Sequence, residues 1–306
     1  NTFLFRPCPI EAQRKLSDEL AVMMGLDMTK LVLGEVEHPF TDNYNNSDVR
    51  LTTHYYEDNF PSSMYSILHE GGHSLYELNC DDKYNFTVFQ SGVSMGIHES
   101  QSRFYENIIG HSKEYTACLL DLCKKHFPEQ LEDVDYDRFY RALNKAECGK
   151  VRLEADELTY CLHIMVRYEI EKRLIDGSVT AKDAPKVWAD LYEEYLGVRP
   201  ENDAEGILQD SHWAGGSIGY FPTYALGSAY GAQMLHMMLQ EKPNMWEDVA
   251  KGDLTFVNGW LREHIHQHAC YYTPTQLFEN ACGKFETQYF IDYLKDKFYD
   301  VYGIEQ

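Results

Sequence analysis

The sequence predicts one mainly α-helical domain over residues 1–306, and three observations carry that reading. Segments that read as helices follow one another along most of the chain, and Gly25, Gly110 and Asp176-Gly177 end three of them. A single stretch, 48–55 (Asp-Val-Arg-Leu-Thr-Thr-His-Tyr), alternates clearly and is rich in β-branched and aromatic residues, so it reads as a strand. No internal repeat, low-complexity tract or linker divides the 306 residues, which are enough to bury a substantial core.

In chain order, 11–24 reads as a helix stopped by Gly25. The stretch 36–40 precedes a turn-rich segment, 41–47, full of Asn and Asp. After the 48–55 strand, a helix is expected from Pro61 to Leu78. Proline is tolerated in its first turn, and Ile67, Leu68, Leu75 and Leu78 give it a buried side. Residues 79–92 form a loop, with extended structure expected at 86–89. Helices follow over 93–109, 112–126 and 135–147. The longest is expected over 146–175. Its core stripe is Val151, Ala155, Leu158, Leu162 and Met165, flanked by a polar stripe of Arg152, Asp156, Thr159 and His163. A helix is expected over 182–196. Gly206 to Trp213 then leads through a Gly-rich run, 214–219, into a helix that Tyr220 opens and that ends near Leu239. The remaining helices are expected near 244–250, 254–266, 274–281 and 286–302.

Composition narrows the function. The net charge of −22 argues against nucleic acid and against an anionic membrane surface. Eight scattered cysteines, with no CxxC pair, read as reduced thiols in a cytoplasmic protein rather than a disulfide framework. No apolar run is long enough to span a bilayer, and the start shows no signal-peptide pattern. The chain begins with Asn1 rather than Met, as a processed or truncated product would.

The chemistry is carried by His69-Glu70-Gly71-Gly72-His73. Positions i and i+4 share a helix face, so His69 and His73 can hold one metal ion, and Glu70 lies at the edge of that face as a general base. Gly71 and Gly72 each cost roughly 1 kcal/mol inside a helix, so something must need close approach there. We expect them to let the helix of the third ligand pack near. A catalytic zinc needs three protein ligands and one open position. Glu99, on the next predicted helix and beside the small residues Gly96 and Ser100, is the best third ligand. The bland alternative for His69 and His73 is a solvated helix face, and for Glu99 a solvated charge.

These residues carry a resemblance. His-Glu-Gly-Gly-His followed by Gly96-Ile97-His98-Glu99-Ser100-Gln101-Ser102-Arg103 is similar to the carboxypeptidase Taq family of metallocarboxypeptidases. His38-Pro39-Phe40 resembles its HPF motif, and Asp48-Val49-Arg50-Leu51-Thr52 its DxRxT. Arg152-Leu153-Glu154-Ala155-Asp156 resembles its RxxAD, and Gly206 to Trp213 its GxxQDxHW. The resemblance implies a helical, zincin-like metallopeptidase fold with a small β-sheet beside the active-site groove, usually as a homodimer. It implies release of single C-terminal residues from peptide substrates with broad specificity, using zinc, for which cobalt can substitute. The ligands would be His69, His73 and Glu99, and the base Glu70. The sequence departs from the family in lacking its N-terminal stretch, so a missing N-terminal half is a possible partner. It also lacks a Gly-Thr-Pro in the loop before Glu99.

An exopeptidase must recognise a free carboxylate, which a bidentate Arg does best. Arg152 is the first candidate, with an ion pair to Asp156 as its structural alternative; Arg50 is the second, with a salt bridge to Asp48 as its own. Tyr220 and Tyr224 can donate to an oxyanion or to the substrate carboxylate, and His212 is a further donor. Against this, core or rim packing is the common fate of a tyrosine in a chain with 23 of them. His38 is placed in substrate binding, and Asp210 is expected to orient a metal-bound histidine. His264, His266 and His268 alternate, cannot share a helix face, and read as structural. Two competing functions stay open. One is a zinc endopeptidase or oligopeptidase with the same site; the other is an inactive metal-binding fragment or subunit of a split enzyme.

Overall fold

In the computed structural model, which describes residues 1–305, the chain divides into two compact units. The larger comprises Asn1–Leu143 and Gly227–Lys295, and the smaller holds the segment between them together with the last described residues.

The larger unit opens with α1 (Ile10–Met23), followed by β1 (Leu31–Glu35), β2 (Thr41–Asn45) and β3 (Asp48–Thr53). The sheet order is β1-β3-β2. β1 runs parallel to β3, with Leu31 opposite Val49; β2 runs antiparallel, with Thr41 opposite Leu51. The alternation that predicted β3 holds over its first half, where Val49 and Leu51 are fully buried and Arg50 between them is exposed; Thr52 and Thr53 are both buried. The turn-rich reading of 41–47 fails over its first five residues, which form β2. Asn and Asp disfavour strands. Here they are held by tertiary hydrogen bonds, since Thr41 and Asn43, on one face of β2, donate to Glu70 and Glu77.

α2 (Phe60–Leu78) carries Pro61 in its first turn and buries Phe60, Met64, Ile67, Leu68 and Leu75. Full burial of a side chain such as Ile67 or Leu68 contributes roughly 1.5–3 kcal/mol. The loop after it contains a 3₁₀ turn (Asp82–Tyr84) and no strand at 86–89; Phe86 has φ +60° and is 85% exposed. α3 (Met95–Arg103) starts on Ser94, whose Oγ accepts from Ile97 N. It continues as π-helical turns (Phe104–Ile109) up to Gly110. α4 (Lys113–His126), α5 (Pro128–Leu131) and α6 (Tyr136–Leu143) complete this segment.

The smaller unit corrects the longest predicted helix. Residues 144–156 are not α-helical apart from a 3₁₀ turn (Arg152–Glu154), and α7 spans Glu157–Ile175. The reason is local. Asp156 is an N-cap whose Oδ1 accepts from Thr159 N at 3.0 Å, while Oδ2 accepts from Glu147 N at 2.8 Å. The expected core stripe is wrong as well: Leu158 and Met165 are exposed, and the buried face is Tyr160, His163, Ile164, Val166, Arg167 and Ile170. α8 (Ala184–Leu196) packs Trp188, Leu191 and Tyr192 against Val166 and Ile170.

α9 (Pro222–Glu241) begins in the smaller unit and runs on into the larger. There α10 (Met245–Val249), α11 (Thr255–His264) and α12 (Pro274–Cys282) follow, with most of α13 (Gln288–Tyr302). The expected fold class holds: a mainly helical protein with one small sheet. Among the described residues, no helix is long and apolar enough to cross a membrane.

Candidate metal centre

The i, i+4 spacing does on α2 what the sequence requires of it. His69 and His73 project from one face, and α3 brings Glu99 opposite them. Glu99 Oε2 lies 3.9 Å from His69 Nε2, and Glu99 Oε1 lies 3.8 Å from His73 Nε2. One ligand atom from each of the three falls within 4.8 Å of the others. Ligand atoms about 2.1 Å from a tetrahedral zinc are separated by about 3.4 Å, so this donor set fits such an ion with small side-chain movement. The three side chains are 22%, 11% and 4% exposed, which limits but does not close the access of water.

Glycines let the helices approach. A Cβ on Gly72 would sit 2.5 Å from Gln101 O and 2.7 Å from Ser102 Cα, so this position must be Gly for α3 to lie where it does. A Cβ on Gly227 of α9 would meet the Cβ of Glu99 itself at 2.5 Å. The expectation for Gly72 is therefore met, whereas Gly71 faces the Met24 side chain and not α3. Gly96, thought to ease the packing, has nothing nearer than 3.9 Å to its missing Cβ.

Each histidine has a partner on its other nitrogen. His69 Nδ1 lies 2.7 Å from Glu106 Oε2, which also accepts from Arg103 Nη1 at 3.3 Å. Burial opposes charge on both groups, but their attraction prevails. Without metal, the His69 imidazolium is stabilised to a pKa of about 9, by Glu106 first and then by Glu99 and Glu70. Glu106, with Arg103 and His69 beside it, is lowered to about 2. His73 Nδ1 faces His98 Nδ1 at 3.2 Å, and His98 Nε2 lies 2.7 Å from Glu77 Oε1. Glu106, His98 and Glu77 were missed by the sequence reasoning. Spacing could have found two of them, since Glu106 lies seven residues beyond Glu99 and Glu77 four beyond His73.

Glu70 Oε2 accepts from Thr41 Oγ1 at 2.7 Å. Burial raises its pKa above the usual carboxylate range, against the pull of His69 and Thr41. On β3, Arg50 forks onto Asp48 at 3.1 and 3.3 Å and stacks on Tyr44. His38 is exposed in the bend after β1. His266 is buried between Gln101 and Asn79, in keeping with a structural role.

In the smaller unit, Arg152 gives its Nε and Nη2 to Asp210 Oδ1 at 3.0 and 2.7 Å, and its Nη1 to Tyr160 OH. Three of its five N–H groups are taken in this way. Its acidic partner is Asp210 and not Asp156. Asp210, expected to orient a metal-bound histidine, accepts from Arg167 Nε at 2.7 Å as well; the carboxylate against a site histidine is Glu106. His212 Nε2 meets Tyr224 OH at 3.1 Å, its ring rests on Phe221, and Tyr220 lies 5.5 Å away by ring centroid. Burial and then Arg152 depress the pKa of His212.

Comparison with known proteins bears on this arrangement directly. The sequence profile of the Carboxypeptidase Taq (M32) metallopeptidase family matches residues 1–298. Carboxypeptidase 1 of Bacillus subtilis is 41% identical over 302 residues, which are 98% of this chain and 60% of that protein. Thermostable carboxypeptidase 1 of Thermus thermophilus is 39% identical over 303 residues, 99% of this chain and 59% of its own length. The crystal structure of an M32 carboxypeptidase from Deinococcus radiodurans superposes with a TM-score of 0.96 at 36% identity. That match covers 99% of this chain and 62% of the other. The chain thus spans about 60% of the length of these relatives, and nearly all of it is matched. A His-His-Glu constellation on two helices, in a helical chain so matched, makes this a member of the carboxypeptidase Taq (M32) metallopeptidase family.

Proposed function

We propose that this chain carries the metal centre of a carboxypeptidase that releases single C-terminal residues from peptides with broad specificity. Zinc, for which cobalt can substitute, would be held by His69, His73 and Glu99. The observation that carries the proposal is the convergence of these donors, with Glu70 beside them on α2. When bound, the metal supplies Lewis acidity to the scissile carbonyl and to the attacking water. Glu70 takes the proton from that water and returns it to the leaving amine. Its raised pKa makes it the stronger base for the first transfer, and the Thr41 hydroxyl fixes its orientation. Glu106 accepts a hydrogen bond from His69 Nδ1–H, so that Nε2, which faces Glu99, would be the nitrogen that holds the metal.

Arg152 is proposed to bind the substrate carboxylate through the N–H groups that Asp210 and Tyr160 leave unused, with Arg50 as second candidate and His38 assisting. Tyr220, Tyr224 and His212 are proposed as donors to the oxyanion or to that carboxylate. Residues 1–306 working as one catalytic domain, a homodimer, partnership with an N-terminal half, and a cytoplasmic location belong to the same proposal.

Mass spectrometry of a peptide digest tests it. Stepwise loss of C-terminal residues, stopped by a chelator and absent in Glu70→Gln despite bound zinc, is the expected result. Full activity of Glu70→Gln would remove Glu70 from the mechanism. Equal cleavage of a C-terminally amidated peptide would instead make this an endopeptidase, and no cleavage with added zinc or cobalt would leave a metal-binding subunit.

A further inference from the structure

A metal on His73 Nε2 leaves the proton on Nδ1, and the atom facing that proton is His98 Nδ1 at 3.2 Å. To accept there, His98 must carry its own proton on Nε2, which points at Glu77 Oε1, 2.7 Å away. One carboxylate thus sets the tautomer of two imidazoles in series. We propose that His98 and Glu77 are positioning residues for the metal ligand His73, forming a directed chain from Glu77 through His98 to His73 that holds the imidazole in metal-binding orientation.

The surroundings are built for this chain. Glu77, 3% exposed, receives Ser91 Oγ at 2.6 Å and Gly92 N at 3.0 Å on Oε1, and Asn43 Nδ2 at 2.7 Å on Oε2. It therefore ties α2 to β2 and to the loop that leads into α3. The His98 ring lies against Tyr76, with centroids 4.7 Å apart, and a Cβ on Gly92 would come within 2.5 Å of His98 Nε2. The ring has one place to sit.

The contrast with His69 gives the arrangement a reason. His69 is oriented directly by the carboxylate of Glu106, and Glu70 and Glu99 stand close by. A further carboxylate placed directly on His73 would add like-charge repulsion against Glu99. An interposed imidazole transmits the hydrogen bond and keeps the fourth negative charge one ring away.

This inference rests on the metal reading above, so the test measures the metal itself. Zinc affinity is read by chelator competition, and ligand geometry by the visible spectrum of the cobalt form. His98→Phe keeps a ring and loses both nitrogens. Glu77→Gln keeps an oxygen for His98, while the Asn43 amide can turn to accept from the new NH₂. Each is expected to weaken zinc binding by about 10- to 100-fold and to shift the cobalt bands, while the metal-free proteins melt with the unmodified chain. In the His98→Phe background, Glu77→Gln should cost nothing further, because it acts only through His98. Unchanged affinity and spectra in the single variants, or full losses that multiply in the double variant, overturn the chain. Glu77→Gln, nearly isosteric, carries the test alone if His98→Phe does not fold. If the unmodified chain binds no zinc, the metal reading itself fails and this inference with it.

Discussion

Alanine at Gly72 and at Gly71 should behave differently, although the two positions are neighbours on one helix. Both changes gain roughly 1 kcal/mol of helix propensity. At Gly72 the new Cβ would sit 2.5 Å from Gln101 O, 2.7 Å from Ser102 Cα and 2.8 Å from Gln101 C, all backbone atoms of α3. Backbone cannot rotate away, so α3 must retreat by close to 1 Å to restore ordinary contact. Overpacking of this kind costs about 1–3 kcal/mol, and a rigid neighbour belongs at the upper end, which leaves a net loss of about 2 kcal/mol. In a unit of this size that lowers the melting temperature by about 4–8 °C. The retreat also carries Glu99, three residues before Ser102, away from His69 and His73, so zinc affinity should fall by at least about tenfold, within the range that disturbed ligand support produces. At Gly71 the clash is with Met24 Cε and Sδ at 2.5 and 2.7 Å, the free end of a flexible side chain. Met24 can turn aside, and the net change should be near zero. Calorimetry of the metal-free variants, followed by chelator competition, reads both effects. Equal melting temperatures for the two variants would refute the claim that Gly72 sets the distance between α2 and α3.

Two further predictions concern the smaller unit. Asp210→Asn leaves the buried guanidinium groups of Arg152 and Arg167 without their shared carboxylate, and should cost about 3–5 kcal/mol in denaturant titration; a loss below about 1 kcal/mol would show that Gln209, Tyr160 and Tyr192 suffice. His163, fully buried, has its pKa depressed to about 3, by burial first and then by Arg167 and Arg152. The unfolded chain takes up this proton near pH 6.5 and the folded chain does not, so the stabilisation is complete above pH 6.5 and is lost as the pH falls toward 3. Between pH 6.5 and 4.5 that amounts to about 2 kcal/mol, and the melting temperature of His163→Phe should fall less over this interval than that of the unmodified chain; parallel curves would exclude His163 as the acid-labile group.

How much of this was legible in the sequence depends on where the determining contact lies. His69, Glu70 and His73 are fixed by the period of one helix, and Glu99 by its place on the next, so both were readable without coordinates. Residues 144–156 were misread as helix because apolar residues recur there at helical spacing. The competing signal was also present: Asp156 with Thr159 three residues on is an N-cap pattern, and its hydrogen bonds begin α7 at Glu157. β2 could not be read from its own residues, because Asn and Asp disfavour a strand and only the fold supplies Glu70 and Glu77 on α2 as partners. The same holds for Arg152. Its chemistry marked it as an anion binder, but only the fold shows that Asp210 is divided between it and Arg167. No spacing rule within one helix could have revealed that sharing, since Asp210 lies 58 residues beyond Arg152.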